Sequence, residues 1–212
     1  MTKSLIAGST GLIGSQLLQL LLASERYDKV IAVSRRELPS HPKLQVIICD
    51  LDSLDQHASE LVADDVFCCL GTTIAKAKSR ENFLAIDYEY PKRLAQLSHA
   101  AGARQFLLVS SLGAHPASRV FYNRVKGQVE DAITQTGFDT THIFRPSLLL
   151  GERKETRSAE DTARVFYRAL GFLIPRRFSA IESSKVAAAM LYFASQDKKG
   201  NFIHESLALQ QF

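Results

Sequence analysis

Leu5-Ile6-Ala7-Gly8-Ser9-Thr10-Gly11-Leu12-Ile13-Gly14 joins a short apolar run to three glycines, and a leucine-rich pattern continues from there to Leu22. Strand, glycine turn and helix in that order aim backbone N–H groups and the positive end of a helix at one place, a cradle for a phosphate. Gly8 is read as the tight turn, Gly11 as the point where backbone approaches a pyrophosphate, and Gly14 as the close contact of helix and strand. Ser9, Thr10, Leu12 and Ile13 complete the binding turn. The spacing is GxxGxxG, not the GxGxxG of the standard dinucleotide fingerprint. Taken alone, the turn is also compatible with a purely structural βα connection. A GxxxxGK[ST] phosphate loop is excluded, because no Lys-Ser or Lys-Thr follows the glycines.

Working outward, apolar runs alternate with helical patterns along most of the chain, which is the signature of a parallel sheet covered by helices. The expected strands are Ser4–Ala7, Lys29–Ser34, Leu44–Cys49, Asp65–Leu70, Gln105–Ser110, Thr141–Phe144 and Asn201–His204. The first helix, Leu12–Ala23, is apolar nearly all round and is expected to be deeply buried. Between Ser79 and Gly102, apolar residues recur at helical spacing, and Pro91 should kink or restart that helix. A further helix is expected over roughly Ser118–Thr136, stopped by Gly137. The fold class is therefore α/β, a Rossmann-type doubly wound parallel sheet with helices on both faces.

At 212 residues one domain, 1–212, is expected, and no linker or repeat divides the chain. Residues 151–180 carry seven basic and four acidic side chains and are read as a short substrate-facing insertion in the C-terminal portion. The formal charge of +4 is mild and no dense Lys/Arg run occurs, so no nucleic acid partner is expected. Cys49, Cys68 and Cys69 lie in apolar runs without a CxxC, and the histidines are scattered, so neither disulfide nor metal site is expected. No signal peptide precedes the first strand, and the apolar stretches fall short of the about 20 residues that cross a membrane. A cytoplasmic protein is the resulting expectation.

The second strand sharpens the ligand. An NAD enzyme usually places an acid about 20 positions after the glycines to hold the ribose hydroxyls. Ser34-Arg35-Arg36 stands there instead. A carboxylate would repel a 2′-phosphate, whereas guanidinium binds it with two parallel hydrogen bonds, so NADP(H) is expected over NAD. Asp50-Leu51 after the third strand is placed beside the adenine, although Asp50 is equally suited to capping a helix. Gly71-Thr72-Thr73 after the fourth strand is placed near ribose and nicotinamide.

Tyr122 and Lys126 are four residues apart, hence on one face of a helix. A free tyrosine ionises near pH ~10 and exchanges protons poorly at neutrality. A neighbouring ammonium stabilises the phenolate and so fits the pair for acid–base work. Lys126 is also placed to hydrogen-bond the nicotinamide ribose. Ser110-Ser111 ends the fifth strand, where a hydroxyl would polarise a substrate carbonyl. YxxxK alone is common on ordinary helix faces, and it is the combination with the glycines, arginines and serines that points to chemistry.

These segments, together with Cys69-Leu70-Gly71-Thr72-Thr73, Val109-Ser110-Ser111-Leu112-Gly113-Ala114, Tyr122-Asn123-Arg124-Val125-Lys126-Gly127 and Phe144-Arg145-Pro146, resemble the short-chain dehydrogenase/reductases. The similarity is to their atypical, NAD(P)-binding branch, which includes the HIV Tat-interacting-protein-like oxidoreductases. The resemblance spans about residues 4–150, in the expected order. It implies a Rossmann fold, NADP(H), and a Ser/Tyr/Lys triad in which Ser111 is favoured over Ser110. It also implies cofactor contacts at Leu70 and Pro146, the latter beside the nicotinamide. Only ten residues separate Ser111 from Tyr122, a tight spacing, and the chain after Gly151 is short for a separate substrate domain. Two functions follow from this: reduction of a small-molecule carbonyl, or NADP(H) sensing through a protein partner with little turnover. The partner set is correspondingly a small-molecule carbonyl substrate, with a homodimer or a protein partner left open.

Overall fold

Seven strands lie in one sheet, and the central ones supply runs that are buried on both faces. The computed structural model describes residues 2–50, 52–150 and 179–212. The sheet strands are β1 (Lys3–Ala7), β2 (Lys29–Ser34), β3 (Leu44–Ile48), β4 (Asp65–Cys68), β5 (Gln105–Val109), β6 (Thr140–Arg145) and β9 (Gly200–Glu205). Their order is β3-β2-β1-β4-β5-β6-β9, and every neighbouring pair is parallel. A two-residue strand β7 (Leu149–Leu150) pairs with β8 (Ile181–Glu182) outside the main sheet.

Successive strand side chains alternate between faces, and two cores form accordingly. Ile6, Phe67 and Leu107 pack with Leu17, Leu21, Val186 and Met190 on one face. Leu5, Val66, Phe106 and Leu108 pack with Leu94, Ala95, Val129 and Ile133 on the other. The first core is covered by α1 (Leu12–Ala23) and α6 (Ser183–Ala194), the second by α4 (Tyr90–Ala100) and α5 (Phe121–Thr134). Burial on both faces is why β1, β4 and β5 read as unbroken apolar runs. The doubly wound α/β sheet read from the sequence is the observed fold.

Strand and helix positions agree with the sequence reading to within one or two residues at most ends, and α1 and β2 agree at both. The helix expected from Ser118 begins at Phe121, because residues 115–120 form turns in which His115 accepts the Ser118 N–H at 3.0 Å and the Ser118 hydroxyl accepts the Val120 N–H at 3.2 Å. Two short helices, α2 (Ile74–Ala77) and α3 (Arg80–Leu84), follow β4, and a short α7 (Ser206–Leu209) follows β9. Around Pro91 the chain neither breaks nor restarts. Helix α3 runs into α4 through a π turn at Ala85–Glu89, which absorbs the missing N–H and the ring clash of the proline. Leu51 and residues 151–178 lie outside the described residues, and with them the expected adenine contact of Leu51 and nearly all of the expected 151–180 insertion.

Helix α1 approaches β1 so closely that a Cβ on Gly14 would stand 2.1 Å from the Gly8 carbonyl oxygen. Backbone meets backbone there, so no side chain can yield. Gly14→Ala should therefore destabilise the protein by about 3 kcal/mol, the upper end of the overpacking range, read as a lowered urea midpoint at unchanged slope.

Candidate functional site

The strand order turns back on itself between β1 and β4, and open α/β sheets bind ligands in the crevice at the carboxyl ends of such strands. The turn Gly8–Gly14 leaves β1 at this place, and the loop 69–73 leaves β4 beside it. Gly8 has φ of +83°, and a Cβ there would lie 2.6 Å from the Cys69 carbonyl carbon, so only glycine fits. The Gly11 N–H donates to the Gly8 carbonyl at 3.0 Å and closes the turn.

The turn suits an anionic group. Gly11 is the N-cap of α1, no side chain caps that end, and no acid occupies the first turn. The first N–H groups and the positive end of a twelve-residue helix therefore have no side-chain cap among the described residues. A Cβ on Gly11 would meet only the Gly8 oxygen, at 3.3 Å, so the absent side chain leaves the crevice side open. Ser9 is buried, and its hydroxyl has no hydrogen-bond partner among the described residues. An uncapped helix end, an open glycine and an orphaned hydroxyl together fit a dinucleotide pyrophosphate.

At the end of β2, the Ser34 hydroxyl accepts the Arg36 N–H at 3.2 Å. Both arginine side chains are exposed, and neither makes an ion pair among the described residues. Asp50 is also exposed, but its carboxylate accepts the Ser53 hydroxyl at 2.6 Å and the Ser53 N–H at 2.9 Å. Those bonds, the hydroxyl's first, hold its pKa below the usual carboxylate value. Asp50 is thus committed to a local turn with Ser53, which itself stands at the N-cap of the short helix Leu54–Glu60 that Asp50 was suited to cap. Thr73 is similarly engaged, since its Oγ1 accepts the Lys76 N–H at 3.2 Å and caps α2.

The loop after β4 meets α5 through a residue that the sequence reading missed. Asp87, in the π turn, accepts the Thr72 N–H at 2.8 Å through Oδ2, while Oδ1 lies 2.7 Å from Lys126 Nζ. Both side chains are buried, Asp87 completely. Burial acts to lower the Lys126 pKa, but Asp87, seconded by Tyr122 and Cys68, outweighs it and raises the value. Lys126 is an ammonium at neutral pH. Tyr122 lies one turn earlier on α5, half-buried with its ring 5.5 Å from that of Phe83. The only signal for Asp87 in the sequence was an acid among apolar helical positions, four residues before a proline.

The two candidate serines have different surroundings. Ser110 is buried and donates to Glu130 Oε1, and Glu130 is gripped by Arg145 through two parallel bonds of 3.0 and 2.6 Å. Arg145 also reaches Glu205 at 3.0 Å. The Ser111 hydroxyl is buried with no hydrogen-bond partner among the described residues. The segment that joins Ser111 to Tyr122 can be short because it is pinned at three places. Pro146 accepts the Leu112 N–H at 2.9 Å, Asn123 accepts the His115 N–H at 3.0 Å, and Gly127 offers a bare backbone. A Cβ on Gly127 would fall 2.2 Å from the His115 carbonyl carbon.

Residues 4–169 match the NAD dependent epimerase/dehydratase family. The chain is 35% identical to Protein HTATIP2 of Rattus norvegicus over 181 residues, covering 80% of this chain and 74% of that protein. It is 34% identical over 205 residues to Protein FMP52, mitochondrial, of Debaryomyces hansenii, covering 92% and 88% respectively. Among solved structures, a short chain dehydrogenase family protein from Francisella tularensis aligns over 100% of both chains with TM-score 0.70 at 15% identity. The Bordetella bronchiseptica enzyme WbmH in complex with NAD+ aligns over 97% of this chain and 76% of that one, with TM-score 0.72 at 20% identity. At those identities the solved structures establish the shared fold.

The contrast between the serines has a measurable consequence that needs no substrate. Ser110→Ala removes a bond to a buried carboxylate and should cost about 1–2 kcal/mol in urea unfolding, whereas Ser111→Ala should stay within about 0.5 kcal/mol of the parent.

Proposed function

The chain belongs to the NAD dependent epimerase/dehydratase family and has its Rossmann fold, and from that premise we propose that it is an NADP(H)-dependent oxidoreductase reducing a small-molecule carbonyl through Ser111, Tyr122 and Lys126. The observation that carries this reading is the Ser111 hydroxyl, buried without a partner on the loop that leads into Tyr122 and Lys126, next to β4's glycine loop. A buried hydroxyl left unpaired is costly in a protein interior and is the natural place for a ligand oxygen.

In this reading the dinucleotide, when bound, supplies a hydride to the carbonyl carbon. Gly8–Gly14 and the α1 N-terminus hold its pyrophosphate, and Arg35 and Arg36 hold its 2′-phosphate. Ser111 donates a hydrogen bond to the substrate oxygen and keeps it in register. Tyr122 gives its phenolic proton to that oxygen as negative charge develops, and Lys126 stabilises the phenolate left behind. Pro146 fixes the Ser111 loop through the Leu112 N–H and would lie beside the nicotinamide. The assignment of NADP(H) rests on two exposed guanidinium groups that form no ion pair among the described residues. The solved relative WbmH binds NAD+, by its own description, so the cofactor form is a property this chain's β2 end must decide.

Among the described residues no helix is long and apolar enough to cross a membrane. The free cysteines suit a reducing compartment, read from the sequence as the cytoplasm, while several FMP52 relatives carry "mitochondrial" in their names.

Two measurements test the proposal. By calorimetry NADPH should bind at least about tenfold more tightly than NADH, and Arg35→Asp should erase the difference; a preference for NADH in the unsubstituted protein would refute the assignment. Across a panel of aldehydes, ketones and quinones, Tyr122→Phe should lower NADPH oxidation by about a hundredfold or more with NADPH affinity nearly unchanged. Equal turnover in that variant rejects the triad, and tight NADPH binding with no turnover in the parent favours the sensor function instead.

A further inference from the structure

Asp87 stands at a junction that the triad does not account for. Its carboxylate is fully buried, and its two oxygens serve different elements: Oδ2 the Thr72 N–H after β4, Oδ1 the Lys126 ammonium on α5. Gly71 passes over the pair, and a Cβ at that position would stand 3.4 Å from Asp87 Oδ1 and 3.5 Å from Lys126 Nζ. The backbone beneath Asp87 is specialised as well. Pro91, four residues on, has no N–H for the Asp87 carbonyl, and its ring would strike that carbonyl in α geometry. The π turn Ala85–Glu89 relieves that conflict, and the carboxylate projects from this widened turn.

We propose that Asp87 is the positioning residue of the site, anchoring the Lys126 ammonium against the loop after β4 so that it stands fixed and charged beside Tyr122. The proposal rests on the oxidoreductase reading, and it assigns Asp87 no contact with the reacting atoms. Among the described residues, the groups facing Lys126 are Asp87 from the π turn, Tyr122 from its own helix and Cys68 from β4. Of these, only Asp87 is a carboxylate. A lysine buried to this depth without one holds its proton less tightly and loses it as the pH rises through about 8, and a neutral amine would neither hold a ribose hydroxyl as a charged donor nor stabilise a phenolate. Oδ2 meanwhile ties the same carboxylate to the backbone of Thr72. The lysine and the loop after β4 are thereby held in one fixed relation.

The test is a titration of Lys126 by carbon NMR on protein grown with lysine labelled at Cε, the signal being identified by its loss in Lys126→Arg. Asp87→Asn retains an oxygen for the Thr72 N–H and removes only the charge. The expected result is a Lys126 midpoint above those of the surface lysines in the parent and roughly two pH units below them in Asp87→Asn. NADPH affinity, read by nucleotide fluorescence, should be flat from about pH 7 to about pH 9 in the parent and fall severalfold over that range in the variant. An unshifted Lys126 midpoint in Asp87→Asn overturns the proposal. So does a shifted midpoint with pH-independent NADPH binding, because the pair would then serve packing alone. If Asp87→Asn does not fold, the parent decides: a Lys126 midpoint above the surface lysines supports the anchor and one below them overturns it. Absence of NADPH binding by the parent at every pH brings down the cofactor reading, while the lysine titration separately supports or overturns the anchoring.

Discussion

The contact between the Gly14 backbone and the Gly8 carbonyl sets the position of everything that follows. Because no Cβ intervenes, α1 starts within van der Waals reach of the end of β1, and its N-terminus points into the crevice between β1 and β4. Gly8 repeats the device sideways, since its missing Cβ lets the turn lie on the Cys69 carbonyl and brings the loop after β4 into the same crevice. One turn of three glycines thus fixes two of the walls. The helix end left uncapped by this arrangement would be a defect in an ordinary βα connection, where Ser, Thr, Asp or Asn usually satisfies the first N–H groups. Here the vacancy has the shape and the dipole of an anion site.

The strands were legible because a sheet covered on both faces leaves a continuous apolar record, and α1 was legible because its leucines face two layers. Asp50 and Asp87 show where legibility ends. Both are acids near the ends of apolar segments, and nothing local separates them. Asp50 turns out to bond within its own turn, to Ser53, whereas Asp87 bonds to residues 15 positions before it and 39 after it. The second kind of partnership depends on strand order and on a π turn, neither of which leaves a periodic signal. Pro91 was the visible trace, and it was read as a kink or restart of the helix because the widened turn that accommodates it is rare. The serines teach the same lesson at shorter range. Adjacent residues at the end of β5 have different surroundings, so one hydroxyl joins a buried Glu130–Arg145 pair and the other is buried with no partner among the described residues. Family resemblance favoured Ser111, while residue type alone left the two equal.

The Ser110–Glu130–Arg145–Glu205 chain has a structural consequence for the crevice. It cross-links β5, α5, β6 and β9 just beneath the site through charge-assisted bonds, two of them in the rigid fork that only arginine offers. With Pro146 pinned to Leu112 and Gly127 pressed against His115, the segment carrying Ser111 has little freedom to drift relative to Tyr122. A ten-residue connection is therefore sufficient, and its brevity, which made the triad spacing look tight in the sequence, is a mark of a preorganised loop.

Charge is distributed so that the cations do not compete for the same ligand. Arg35 and Arg36 lie exposed at the end of β2, where neither forms an ion pair among the described residues. Lys126 lies in the interior with Asp87 at 2.7 Å, so the pair presents almost no net charge to its surroundings. A bare buried ammonium would hold its proton less tightly and attract any nearby anion, and the Asp87 carboxylate removes both tendencies. Pairing the inner cation and leaving the outer ones without an ion pair among the described residues makes the β2 end of the crevice electrostatically distinct from the α5 side. The mild overall charge of +4 conceals that polarity, which lies in the pairing of the charges and not in their number.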